Sequence, residues 1–246
     1  MKKILAIALA LCLVLSLSAA MAEYKTVEAG KFVYATSPDF PPFESLDDND
    51  TVIGIEPDLL ALICAELGLT PEPYAIDFDS ALAAPAAGKA DAVVSGVTVK
   101  EERKAMMDFT IPYVTIIQGV VYRSGDDITM DNIGEKMIGV QSGTTGQIEA
   151  VDRYGEDHVT AYDKYSIGFQ ALQNGQVDCI MVDDMVGAAY VKTIPGLEMI
   201  STGFEPENFA FGLAKGNDEL LAAINEQLQK LIDDGTVEQI ILKWNE

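Results

Sequence analysis

The sequence predicts an α/β protein of two doubly wound lobes with a cleft between them. Three observations predict it. Short apolar runs of strand length alternate with longer runs of helical period along most of the chain, the pattern of sheets layered by helices. No stretch reads as a flexible linker, so two units have to be joined by strands, near residues 115–118 and 207–211. Polar loops follow the strands, and open α/β sheets bind ligands beyond their strands' carboxyl ends.

Taken in order, residues 31–35 read as a strand. Residues 37–43 read as a loop, because Pro38, Pro41 and Pro42 oppose regular structure. Gly54-Ile55-Glu56-Pro57-Asp58-Leu59 opens a helix, with Pro57 suited to a first turn. Leu59, Leu60, Ile63, Cys64 and Leu67 line one face of it, and Gly68 stops it. Residues 74–76 form a strand, Ser80 caps a helix to about Ala87, and 92–95 form a third strand. Phe109-Thr110-Ile111-Pro112-Tyr113 ends the first unit. The second set has strands at 136–141 and 179–182 and helices at 144–154, 167–173 and 185–192. A strand at 209–213 leads back. Asn217 caps a long helix whose stripe is Leu220, Leu221, Ile224, Leu228, Leu231 and Ile232, and Gly235 closes it. Val237, Ile240, Ile241 and Trp244 give a last amphipathic turn or two.

The N-terminus reads as an export leader. Lys2 and Lys3 precede an apolar run from Ile4 to Leu17, and Ala20-Met21-Ala22 is a small-x-small cleavage site. Cleavage before Glu23 removes 22 of the 246 residues and leaves 224, room for one large domain or two ordinary ones. Two lysines leave with it, taking the formal net charge from −23 to −25. That acidity argues against nucleic acid and against anionic lipid as partners. Cys64 and Cys179 remain, one in a helical stripe and one in an apolar strand, and are expected to be buried free thiols. One histidine, His158, and no Cys/His cluster make a transition-metal site improbable. No metal or cofactor is expected.

Three motifs carry the chemistry. Ser95-Gly96-Val97-Thr98 is followed by Arg103. A guanidinium is a planar fork that grips a carboxylate through two hydrogen bonds, although a solvated helix-face charge beside Glu101 and Glu102 is the plainer reading. Ser142-Gly143-Thr144-Thr145-Gly146 is a Gly/Thr loop entering a helix, where free N–H groups and hydroxyls favour an anion. A plain helix cap accounts for it equally well, and it lacks the Gly-Lys-Thr ending of a nucleotide loop. Val177-Asp178-Cys179-Ile180-Met181-Val182-Asp183 ends a strand on a carboxylate able to accept from an ammonium, unless Asp183 and Asp184 both cap the next helix. Phe40 and Phe78 either flank a ligand side chain or belong to the core. Asp77 and Asp79, two apart on a segment read as extended, point opposite ways and make no acid–base couple. No nucleophile–base motif stands out, so the expectation is a binding protein and not an enzyme.

In this order and at these intervals the motifs resemble the polar amino-acid branch, family 3, of the extracellular solute-binding proteins that serve ABC importers. Phe40-Pro41-Pro42-Phe43-Glu44 is similar to that family's Pro-Pro-Phe loop, and Gly54 to Leu59 to its Gly-aromatic-Asp-apolar-Asp-Leu signature, with Ile55 and Pro57 as departures. The stretch from Ser95 through Arg103 to Tyr113 is the most specific match, and Gly235-Thr236 to Lys243-Trp244 resembles the family's last helix. The resemblance implies the type II periplasmic binding fold, two sheets joined by a two-strand hinge. The expected lobes are residues 23–117 with 208–246, and residues 118–207. It implies that Arg103, Thr145 and Thr144 hold a ligand carboxylate, and that Asp183, the Gly96 carbonyl and the Thr98 hydroxyl hold its ammonium. Phe40 and Phe78 flank the side chain. Ser37 stands where cation-selective members often carry an acid, and Asp39, Asp77 and Gln118 remain to supply polarity. The implied partners are a free amino acid and a membrane permease, with the protein a monomer in the periplasm, or else secreted or envelope-attached. A cyclohexadienyl dehydratase-like enzyme on the same fold and a ligand-presenting sensor are the rival expectations.

Overall fold

The computed structural model describes residues 24–245. The leader and its cleavage site lie outside the described residues. In chain order the strands are β1 Lys31–Thr36, β2 Asp39–Phe40, β3 Glu44–Leu46, β4 Val52–Ile53, β5 Thr70–Ala75, β6 Ala92–Val93, β7 Met107–Phe109, β8 Val114–Ile116, β9 Gln118–Arg123, β10 Ile138–Gln141, β11 Val159–Tyr162, β12 Cys179–Asp183, β13 Leu197–Ser201, β14 Glu207–Phe209 and β15 Gly212–Ala214. The helices are α1 Ile55–Leu67, α2 Phe78–Ala83, α3 Glu101–Lys104, α4 Thr145–Tyr154, α5 Tyr165–Gln173, α6 Asp184–Thr193, α7 Asp218–Asp233 and α8 Thr236–Asn245.

Two five-stranded sheets organise the molecule. One has the order β5-β1-β6-β15-β7, the other β11-β10-β12-β9-β13. In each, three parallel strands are extended by two more through successive antiparallel pairings. Between the sheets, β8 and β14 pair antiparallel as a two-strand hinge. β1 shows why its residues are apolar almost throughout. Phe32 and Tyr34 face the core of Leu59, Leu60 and Ile63, while Val33 and Ala35 face Phe78 and Leu82. A strand covered on both faces loses the alternation of a half-exposed one. β12 repeats this, with Ile180 and Val182 on one side and Cys179 and Met181 on the other.

Several boundaries differ from the sequence reading. The prolines of 37–43 still admit β2, which pairs with β3 at the entrance to the cleft. β5 starts at Thr70 despite Pro71 and Pro73. It is an edge strand, and two prolines two apart turn their missing N–H groups to the same unpaired side. The expected strand at 209–213 is two strands, because the chain leaves the hinge and then enters the first sheet. Asp77, not Ser80, caps α2, accepting from the Ser80 amide at 3.0 Å, so 77–79 is a helix start and not an extended segment. Asn217 precedes α7 without capping it; its amide donates to the Lys25 carbonyl instead. β9, β11 and β13 were not legible as separate strands. Cys64 and Cys179 are buried and free, and burial pushes both thiols up to about 12. Among the described residues, no helix is long and apolar enough to cross a membrane.

Candidate functional site

The first lobe contributes a wall with one cation. After β6 the chain turns at Gly96, whose φ is +56°, and a Cβ there would meet the Phe40 ring at 2.5 Å. Glycine is therefore required both by conformation and by the close approach of the aromatic. The turn is held from behind by two buried carboxylates. Ser95 donates its hydroxyl to Glu44 at 2.7 Å and accepts the Ser37 amide at 3.0 Å. The Gly96 amide and the Tyr113 hydroxyl both donate to Glu56, the latter at 2.6 Å. Burial raises both acids above the ordinary carboxylate range, Glu44 strongly and further because Glu56 lies beside it. Next, Thr98 pairs with Phe209 of the hinge strand. Arg103, on the single-turn α3, is 6% exposed. Its guanidinium donates to the Thr98 carbonyl and, across the cleft, to the Gly143 carbonyl, each at 3.0 Å, and lies 5.7 Å from the Phe78 ring. The helix-face alternative for Arg103 does not hold, since its neighbours Glu101 and Glu102 are exposed while it points inward.

The second lobe contributes a helix N-terminus and a carboxylate. Gly143 has φ +80° and leads into α4. Thr144 is the cap: its hydroxyl accepts from the Gln147 amide at 3.1 Å and donates to the Gln141 carbonyl at 2.8 Å. That proton is committed, so Thr144 has a cleft-facing position but no hydroxyl donor to spare. The Thr145 hydroxyl accepts from Gln118 at 3.4 Å and keeps its proton. Asp183 ends β12 and does not cap α6. Asp184 takes the local amide of Met185 at 2.8 Å, which leaves the Asp183 carboxylate turned to the cleft. It accepts from Gln118 at 2.6 Å. Burial drives its pKa well above the usual range, with Glu207 adding to the shift and Arg103 opposing it. Burial also pulls Arg103 down, against the charges of Glu207 and Asp183.

Ser37, Phe40, Phe78, Gly96, Thr98, Arg103, Thr144, Thr145 and Asp183 line one space between the lobes, together with Ser95 and Gln141. Gln118 stands one step behind, bonded to Asp183 and Thr145. Asp77 is spent on its helix cap. Asp39 closes the lobes: it accepts from Ser37 at 3.1 Å and from the Ser166 amide of the other lobe at 3.2 Å. Across the same gap Phe40 stacks on Tyr165 at 5.7 Å and Gln141 reaches Ser37 at 3.4 Å. Gln141, Ser95 and Glu207 were not singled out. Ser95 opens the first motif and Gln141 ends the strand read at 136–141, whereas Glu207 had no signal beyond an acid beside the hinge. The space thus sets a guanidinium, a hydroxyl and a helix N-terminus against a carboxylate and bare oxygens, a set that complements an anion joined to a cation. Among the described residues no cluster of His, Cys, Asp and Glu could hold a metal ion.

Residues 32–246 match the model of the bacterial extracellular solute-binding proteins, family 3. A putative ABC transporter arginine-binding protein 2 of Escherichia coli is 32% identical, over 86% of this chain and 89% of its own. A probable histidine-binding protein of Neisseria gonorrhoeae is 32% identical over 99% and 96%. Among solved structures, an ancestral arginine-binding protein bound to glutamine superposes with a TM-score of 0.83 at 35% identity, covering 87% of this chain and 97% of that one. The arginine-, lysine-, histidine-binding protein ArtJ of Geobacillus stearothermophilus gives 0.81 at 32%, covering 87% and 94%. With a type II two-lobe fold, a cleft between the lobes and a family match spanning nearly all described residues, the chain belongs to family 3 of the bacterial extracellular solute-binding proteins.

Proposed function

We propose that this protein is the substrate-binding component of an ABC importer, taking a free amino acid with a neutral polar or cationic side chain and delivering it to a membrane permease. The observation that carries this reading is the pairing of Arg103 and the Thr145 end of α4 with Asp183 around one buried space. Arg103 and the Thr145 hydroxyl and amide take the ligand carboxylate. Asp183, the Gly96 carbonyl and the Thr98 oxygen take its ammonium. Phe40 and Phe78 flank the side chain, with Ser37 and Gln141 at the polar end. Each partner is buried, so a ligand lacking either charge leaves a desolvated group unmatched.

Charge narrows the class. Arg103 is offset by the ligand carboxylate and Asp183 by its ammonium, while Glu207 and Asp39 remain around the cleft. An acidic side chain adds a like charge to that set, and like charges at close range cost several kcal/mol. Lobes of residues 23–117 with 208–246 and of 118–207 close around the ligand after export with cleavage before Glu23. The test is a thermal-shift screen of the twenty common L-amino acids and L-cystine. Stabilisation by a neutral polar or cationic member is expected, with L-glutamate and L-aspartate weakest. Strongest stabilisation by an acidic amino acid overturns the charge argument, and no stabilisation by any overturns the reading.

A further inference from the structure

Glu207 lies on the hinge strand β14, outside the cavity lining, and no motif drew attention to it. Its two carboxylate oxygens nevertheless reach both lobes. Oε2 accepts the Thr98 hydroxyl at 2.7 Å, and Oε1 accepts from the Gln118 amide at 3.3 Å. The same Gln118 Nε2 donates to Asp183 at 2.6 Å, so one NH₂ group sits between two carboxylates. Backbone pairing fixes this arrangement. Thr98 bridges Phe209, the Val99 amide donates to the Asn208 carbonyl, and the Ala210 amide donates to the Val97 carbonyl.

The consequence is a matter of proton polarity. A threonine hydroxyl has a single proton. Once Glu207 takes it, the Thr98 oxygen can offer only lone pairs to the cleft. Gln118 is oriented in the same way: its NH₂ faces the carboxylates, while its own carbonyl oxygen is buried without a partner. We infer that Glu207 is a positioning residue, which acts through Thr98 to keep the ammonium side of the cleft purely accepting and ties that side to the hinge. This rests on the amino-acid reading above. Glu207→Gln breaks the device in a specific way, since an amide either brings its NH₂ against the Gln118 NH₂ or offers Thr98 a donor and frees its proton to point at the ligand.

A double-mutant cycle tests this, with the tightest-binding member of the twenty common L-amino acids and L-cystine as probe in calorimetry. Glu207→Gln and Thr98→Val are each expected to weaken binding by about tenfold or more, and Thr98→Ser, which keeps the hydroxyl, by less than about threefold. If Glu207 acts through Thr98, the double variant binds no more than about threefold worse than the weaker single one, because residues in one hydrogen-bonded unit are not additive. Losses that multiply, or Glu207→Gln binding within threefold of wild type, overturn the inference and leave the amino-acid reading intact. Wild type that binds none of the probes overturns that reading and this inference with it. Circular dichroism controls for folding. Should Glu207→Gln not fold, Glu207→Asp replaces it, combined with Thr98→Val under the same criterion.

Discussion

The two walls of the cleft are built differently. In the first lobe, the binding turn is wired into the core: Ser95 and Gly96 rest on Glu44 and Glu56, and Glu56 on Tyr113, all of them buried. In the second, Thr144 and Thr145 belong to an ordinary helix start, and Asp183 to a strand end steadied by Gln118. The difference teaches which wall is separable from folding. Changes beneath the first wall disturb the lobe itself, whereas changes in the second act on ligand grip with little structural cost. Arg103 spans the two, since it is anchored on Thr98 and reaches Gly143.

Breaking that span gives the largest expected effect. Truncating one partner of a buried charge pair costs about 2–5 kcal/mol, much of it from the charge left alone. For Arg103→Ala that is a loss of roughly 30- to 5,000-fold in affinity, at about 1.4 kcal/mol per tenfold. Arg103→Lys is expected to recover only part, because an ammonium lacks the planar fork. Calorimetry, with circular dichroism as the folding control, checks both. Binding within about threefold of wild type shows that the first wall does not hold the carboxylate.

The next pair sharpens the comparison itself. Glu56→Ala leaves the Gly96 amide and Tyr113 hydroxyl unpartnered and opens a hole in a fully buried site, a loss of roughly 2–4 kcal/mol of stability. Thr144→Ala removes a cap, typically about 1 kcal/mol. Denaturant titration of the two variants is expected to rank them in that order. The reverse ranking shows that the second wall, not the first, is integral to its lobe.

How much of this was legible beforehand follows the same division. Alternating strands and helices and the hinge positions could be read, and nine of the ten residues named for the site line the space, because each stands at a strand end or in a loop of distinctive composition. Gln118, the tenth, is behind the lining. The carboxylates beneath the turn were not legible. Glu44 and Glu56 look like surface charges in sequence, and only long-range packing against Ser95 and Gly96, more than 35 residues away, buries them. β5 was read short because its prolines count against a strand unless the strand is at an edge, and edge position is a tertiary fact. Phe40 and Phe78 are both core and cavity wall, so the two readings of an apolar side chain were never exclusive.

Acidity separates the walls in another way. Glu44, Glu56 and Asp39 in the first lobe and Asp183 in the second all have raised pKa values, chiefly from burial. The native state then holds more protons than the unfolded chain between the ordinary carboxylate range and the raised values, so stability falls as pH rises through that window. The ligand-free protein is expected to melt higher near pH 5.5 than near pH 8. Bound ammonium favours ionised Asp183, so saturating ligand removes the second lobe's share and leaves that of Glu44, Glu56 and Asp39. Calorimetric melting with and without ligand separates the two. A melting point that rises steadily with pH contradicts both assignments.

The smallest effect concerns the outer rim, where Lys100 of the first lobe meets Glu149 of the second at 3.8 Å. The contact exists only when the lobes are together, so it invites description as a closing latch. Physical magnitudes argue otherwise. Both side chains keep about a quarter of their surface in water, the separation is close to the limit for an ion pair, and such pairs contribute about 0–1 kcal/mol. The buried contacts across the same gap, Arg103 on Gly143 and Phe40 on Tyr165, are shielded from solvent and salt. Lys100→Met is therefore expected to change affinity by less than about fivefold, and by still less at 1 M salt, where charges are screened beyond about 3 Å. A loss above tenfold that disappears in high salt reverses the comparison, putting closure under the control of the charged rim and not of the buried walls.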